Sequence, residues 1–171
     1  MRTLRPMKAP AFLISILVIF LCTPLSIYAD EYPSLPIESV ASKRDKIVFN
    51  DYDGNVILID FWASWCGPCR QSFPWMNNMQ TNYVGQGLTV IAINLDSERE
   101  AADDFLEEVP TNFLLGFDPE GHTAEKMNVE AMPMSYLVDR QGRLRHRLMG
   151  FNTEKKAEHE ALIQALLKEA K

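Results

Sequence analysis

Cysteine is scarce in this chain: three residues in 171, at positions 22, 66 and 69. That count excludes a framework of several disulfides. Histidine is just as scarce. His122, His146 and His159 stand far apart, without the paired spacing of a metal site, and a closed zinc site needs about four ligands. No metal site is read from the sequence, and the three histidines are assigned to the surface or to turns. Internal repeats and low-complexity runs are missing too. Hydrophobic residues make up 47% and charged ones 23%, the balance of an ordinary globular protein, and the length suits one domain with a sizeable core.

Acidic residues are absent from the first 29 positions, which carry Arg2, Arg5 and Lys8. Residues 12–22, "FLISILVIFLC", are apolar apart from Ser15; Pro24 breaks the run, and Ala29 precedes Asp30. The run falls short of the roughly 20 residues that span a bilayer. A basic start, a short apolar stretch and a small residue at the end read as a secretory signal peptide over 1–29, cleaved after Ala29. The alternative is an uncleaved anchor over 12–28 in the inner membrane. A lipid anchor on Cys22 is disfavoured by the bulky Phe20 and Leu21 before it. Either way the folded part faces an exported, oxidising compartment such as a periplasm. Without 1–29 the chain holds 14 Lys and Arg against 23 Asp and Glu, a net charge of −9. That is the wrong sign for nucleic-acid binding. Only Cys66 and Cys69 remain.

Residues 30–45, rich in Pro and Ser, read as a linker or lead-in to a domain over 46–171. Asp53-Gly54-Asn55 is a turn signal. Residues 56–62 and 88–96 are short apolar runs, the pattern of strands buried on both faces at the centre of a sheet. A helix follows Cys66, with Pro74 as an interior kink. Ser97 and Glu100 have the spacing of a capping box, ahead of a helical face of Ala101, Ala102, Phe105, Leu106 and Val109; Pro110 ends that helix. "FLLGFD" gives a short strand. "MSYLVD" and "LRHRLMG" flank a turn as an antiparallel hairpin. A closing helix turns Ala161, Leu162, Ala165 and Leu166 inward. Alternating strands and helices imply crossover connections and a parallel core, and the hairpin makes the sheet mixed.

The pair Cys66-Gly67-Pro68-Cys69 allows three readings. As a staple it closes so short a loop that it contributes only about 2 kcal/mol. As half of a metal site it lacks partners. As a redox pair it uses its spacing directly. A strand ends at Trp62 and a helix begins near Cys66, so Cys66 meets unpaired N–H groups and the positive end of the helix dipole, which favour a thiolate. Pro68 suits a first helical turn. Cys69 is within reach and more buried. One sulfur is open to attack and the other closes the ring, which is thiol–disulfide exchange.

"LIDFWASWCGPC" resembles the active-site segment of thioredoxins, and "AMPMSYLVDRQGRLRHRLMG" resembles their proline loop and final hairpin. The stretch 97–128 between them is similar to the central insertion of exported TlpA/ResA-like thiol:disulfide oxidoreductases. The resemblance covers about residues 45–170. It implies an α/β thioredoxin-like fold, with a mixed central sheet flanked by helices and a TlpA-type central insertion, and an enzyme without a cofactor.

The same resemblance assigns roles. Cys66 is the attacking thiolate and Cys69 the resolving one. Asp60 becomes the buried acid that exchanges a proton with Cys69, raised in pKa by burial. At Asp60 the chain departs from many TlpA-like relatives toward thioredoxins proper. Glu120 or Glu125 stands for a second acid. Pro133 takes a cis bond, placing the Met132 backbone opposite Cys66 to pair with substrate. Trp65 shields the sulfur and offers an apolar contact, Trp62 packs in the core, and Gly150 meets a backbone need near the loops. Trp65, Gly67, Pro68, Met132 and Pro133 are thus the expected substrate contacts. The Gly67-Pro68 pair resembles reducing thioredoxins. A reductant in an oxidising compartment needs a membrane thiol-electron transporter to recharge it. Its substrates are proteins with disulfides, apocytochrome c among the candidates through cytochrome c maturation. The alternatives are a disulfide-forming oxidase and a non-catalytic thioredoxin-fold binding module. A thiol peroxidase is disfavoured, since Ala63 stands where that chemistry has Thr.

Overall fold

The two apolar runs become the middle of a seven-stranded sheet. In a computed structural model of the chain, residues 32–43 and 45–170 are described. The readings made on residues 1–29 lie outside them. The strands are β1 (Ser39–Ser42), β2 (Lys46–Val48), β3 (Val56–Trp62), β4 (Leu88–Asn94), β5 (Leu114–Phe117), β6 (Met134–Val138) and β7 (Leu144–Met149). The helices are α1 (Gly67–Tyr83), α2 (Arg99–Glu108), α3 (His122–Lys126) and α4 (Lys155–Lys168). The strand order is β2-β1-β5-β4-β3-β6-β7. β3, β4 and β5 run parallel, and the outer pairings are antiparallel. Every residue of β3 and β4 is buried, as strands covered on both faces require.

Alternation along β3 divides the core in two. Val56, Leu58 and Trp62 face α1, α2 and α4, where Phe73, Phe105 and Ile163 meet them. Ile57, Ile59 and Phe61 face the other way, toward α3 and residues 37–49. Asp60 lies between Leu58 and Trp62 in sequence, so it belongs to the α1 face. Trp62 is fully buried, with ring centroids 4.8 Å from Phe73 and 4.7 Å from Phe105.

Four expectations need correction. The linker reading of 30–45 fails over 39–42. β1 pairs with both β2 and β5, and Ile37 and Val40 are buried. The Ser97/Glu100 capping box does not form. α2 starts at Arg99, with Glu98 as N-cap and no side-chain capping bond. The inward face of α4 is His159, Ile163 and Leu166, while Ala161 and Ala165 are exposed. His159 is therefore no surface residue; it packs against Trp75 and Phe151, and that burial lowers its pKa. α1 continues through Pro74, although the missing N–H removes one bond of its ladder. Among the described residues no helix is long and apolar enough to cross a membrane.

Candidate active site

Cys66 is the N-cap of α1, with extended backbone angles (φ −82°, ψ 97°), and Pro68 sits in the helix's first turn. The backbone N–H groups that open a helix have no partners within it, and they surround the Cys66 end of the pair. Cys66 and Cys69 are joined in a disulfide with Cα atoms 5.3 Å apart. Cys69 is completely buried and Cys66 is 5% exposed. The sulfur expected to be open is thus nearly covered, and its accessible edge lies in the wall of a cavity.

That cavity has a volume of about 480 Å³. Its lining combines Trp65, Cys66, Gly67 and Pro68 from the start of α1, Leu95 from the end of β4, and Ala124, Val129, Glu130, Ala131 and Met132 from the segment leading to β6. The walls are mostly apolar, and Glu130 supplies the one carboxylate. The Met132–Pro133 bond is cis. The Pro133 carbonyl accepts the Gly150 N–H at 2.9 Å, with Gly150 at φ +69°, where a side chain would be strained. Trp65 is 72% exposed and lines the same cavity as Cys66.

Asp60 is 1% exposed. Its Oδ1 accepts the Ser135 hydroxyl at 2.5 Å, and Oδ2 has no hydrogen-bond partner among the described residues. Burial pushes its pKa up to about 7, and the Ser135 bond, which favours the charged form, works against that rise. A carboxyl that titrates near neutrality on the face shared with Cys69 has the chemistry of a proton acceptor and donor.

Glu120 and Glu125 are both exposed and neither lines the cavity; Glu120 lies 3.1 Å from His122 instead. The acid at the cavity is Glu130, 3.5 Å from Arg147. Sequence reasoning misses Ser135 because its place opposite Asp60 depends on the register of β6 against β3, and Glu130 because the segment before β6 meets the start of α1 only in the fold. Among the described residues no group of three or more His, Cys, Asp or Glu side chains is arranged to hold a metal ion.

Comparison with known proteins agrees with this geometry. Residues 26–163 match the family model described as Redoxin. The chain is 43% identical to a Chlorobium tepidum protein described as a thiol:disulfide interchange protein DsbE. The match covers 81% of this chain and 98% of that one, with a TM-score of 0.78. It is 27% identical to the thiol-disulfide oxidoreductase ResA of Bacillus subtilis, over 71% of this chain and 67% of that protein. It is also 27% identical to the ResA of Bacillus thuringiensis, over 75% and 73%. The sequence and the Cys66–Cys69 pair lead to one conclusion: the chain belongs to the redoxin family, as a thioredoxin-fold protein thiol:disulfide oxidoreductase.

Proposed function

We propose that this enzyme works as an exported reductant of protein disulfides. The observation that carries the reading is the asymmetry of the pair, with Cys66 in a cavity wall at a helix start and Cys69 sealed behind it. In the reduced enzyme the Cys66 thiolate attacks one sulfur of a substrate disulfide. The substrate S–S bond breaks, a Cys66–substrate disulfide forms, and one substrate thiolate leaves. Cys69 gives its proton to Asp60 and attacks the Cys66 sulfur. The second substrate thiolate departs, and both take up protons from water. Two electrons have passed from the enzyme dithiol to the substrate, and the Cys66–Cys69 disulfide remains. The cavity and the Met132 backbone beside Pro133 hold an extended substrate segment, with Trp65, Gly67 and Pro68 along its edge.

Residues 1–29 direct the chain to the periplasm, as a cleaved signal peptide or an anchor. A membrane thiol-electron transporter re-reduces the pair there, and apocytochrome c is a candidate substrate. Equilibration with a glutathione buffer tests the direction. Potentials in this fold family span about −270 to −120 mV. A value toward the reducing end is expected, together with insulin reduction that Cys66→Ala abolishes. A value at the oxidising end makes the protein a disulfide-forming oxidase, and activity no greater than that of Cys66→Ala makes it a binding module. Cys69→Ala is expected to accumulate covalent substrate complexes whose identification names the substrate.

A further inference from the structure

Asp96 follows the end of β4 and is buried, 7% exposed. Both of its carboxylate oxygens are directed at one residue of the turn that carries the nucleophile. Oδ2 accepts the Ser64 backbone N–H at 2.8 Å, and Oδ1 accepts the Ser64 hydroxyl at 3.0 Å. Oδ2 also accepts the Asn94 side-chain N–H at 2.7 Å, and the Asn94 side-chain Oδ1 in turn accepts the Asp96 backbone N–H at 3.1 Å. The carboxylate is therefore fixed from below by its own strand and grips the turn from above.

Ser64 lies two residues before Cys66, inside the short connection from β3 to α1. The turn closes on itself through the Cys66 N–H to the Ala63 carbonyl at 3.0 Å, and β4 holds its base through the Leu95 N–H to the Trp62 carbonyl at 2.9 Å. Trp65, between Ser64 and Cys66, is mostly in solvent. Ser64 is thus where the outer part of the turn is tied to the sheet by a side chain. Leu95, the neighbour of Asp96, lines the same cavity as Cys66. One anchor sets the attacking sulfur and the opposite wall relative to each other.

We infer that Asp96, acting through Ser64, is a positioning residue for the Cys66 nucleophile. The inference rests on the thiolate role of Cys66 but not on the direction of electron flow. Misplacing an attacking atom by even 1 Å costs up to about a hundredfold in rate, and a turn this short has few other restraints. The role is geometric. In Asp96→Asn the amide oxygen keeps the Ser64 and Asn94 N–H bonds. The amide nitrogen, in the place of Oδ1, donates to the Ser64 hydroxyl, which accepts as readily as it donates.

The test is the pH-rate profile of the reduced full chain with a small symmetrical aromatic disulfide, alongside urea unfolding. Any competent Cys66 thiolate attacks such a probe, so failure of the reductive reading leaves this readout intact. Asp96→Ala removes both bonds to Ser64 and is expected to lower the high-pH plateau rate about tenfold; Ser64→Ala keeps the backbone N–H bond and should lower it about threefold. The double variant should be no slower than the slower single one, because the contact is shared. Asp96→Asn should stay within about twofold of wild type, as its bonds are all kept. Ser64→Ala removes a single hydroxyl from a half-buried residue, so it reports even if Asp96→Ala folds poorly. Plateau rates at the wild-type level in Ser64→Ala, or an Asp96→Asn as slow as Asp96→Ala, overturn the inference; the second result would make Asp96 act by charge.

Discussion

Ser135 donates its hydroxyl to Asp60 Oδ1 at 2.5 Å, directly across the antiparallel pairing of β6 with β3. This bond opposes the burial that pushes the Asp60 pKa up to about 7. Removing the donor leaves burial unopposed, so in Ser135→Ala the carboxyl holds its proton to higher pH. A hydrogen bond to a charged group contributes about 1.5–3 kcal/mol, and one pH unit corresponds to about 1.4 kcal/mol. The midpoint for resolution of a mixed disulfide by Cys69 is expected to rise by about one pH unit or more. Ser135→Thr, which keeps a hydroxyl, should stay near wild type. Stopped-flow resolution rates between pH 5 and 9 read the midpoint, and an unmoved one removes Asp60 from the proton transfer.

Asp60 also makes stability depend on pH, in an unusual sense for a carboxylate. Its ordinary value is 3.8 and its folded value about 7. Below 3.8 it is protonated in both states and folding carries no proton cost. Between 3.8 and about 7 the unfolded chain releases the proton and the folded one keeps it, so stability falls as pH rises; above about 7 the loss is complete. The full gap corresponds to roughly 4 kcal/mol. Asp60→Asn abolishes this dependence. Urea unfolding of the oxidised protein is expected to show a stability gain of the variant over wild type that grows by up to roughly 4 kcal/mol from pH 3 to pH 8. A gain that stays constant with pH means that Asp60 is not held protonated.

What the sequence made legible follows from local signals. β3 and β4 are short, nearly continuous apolar runs rich in β-branched residues, the pattern of a strand covered on both faces, and all seven residues of each are buried. The Cys66–Cys69 spacing and the strand-to-helix junction were likewise readable from adjacent residues. β1 was not, because "SVAS" has little β-branched character and its place depends on a β5 partner more than 70 residues away. The α4 face was misphased because apolar residues occur on several sides of that helix, so periodicity alone does not select Ile163 over Ala165. Ser135, Glu130 and the Asp96–Ser64 contact depend on tertiary register, which no local pattern carries.

On the proposed function, the binding of a protein substrate in the cavity is separable by experiment from chemistry at the sulfur. Ala131 is an exposed part of its lining, so Ala131→Trp narrows the opening with little effect on folding. Insulin reduction is expected to show KM raised about tenfold or more, as when a polypeptide loses about 1.4 kcal/mol of binding. The attack on a small aromatic disulfide should change less than about threefold, since it needs little of the cavity. Equal loss on both substrates means that the residue affects the cysteines and not the docking of a chain.

The placement of β1 is open to the same kind of test through one close approach. A Cβ on Gly116 would lie 2.7 Å from Val40 Cγ1 and 3.2 Å from Cγ2. Val40 is 4% exposed on β1, and Gly116 pairs with Ser42 on that strand. Contacts below 3.0 Å are not accommodated without movement, and Val40 has Ile93 behind the same gap, 3.4 Å from the built Cβ. Gly116→Ala is therefore expected to destabilise by about 1–3 kcal/mol through overpacking. Val40→Ala alone should cost roughly 2 kcal/mol for its lost methyl groups. Combined, the methyl added at position 116 occupies space that Val40 has vacated, so the double variant should be more stable than the sum of the two losses by at least about 0.5 kcal/mol. Urea unfolding of the four proteins measures the cycle. Strict additivity would mean that residues 39–42 do not lie against β5, and the reading of 30–45 as a loose lead-in would be restored.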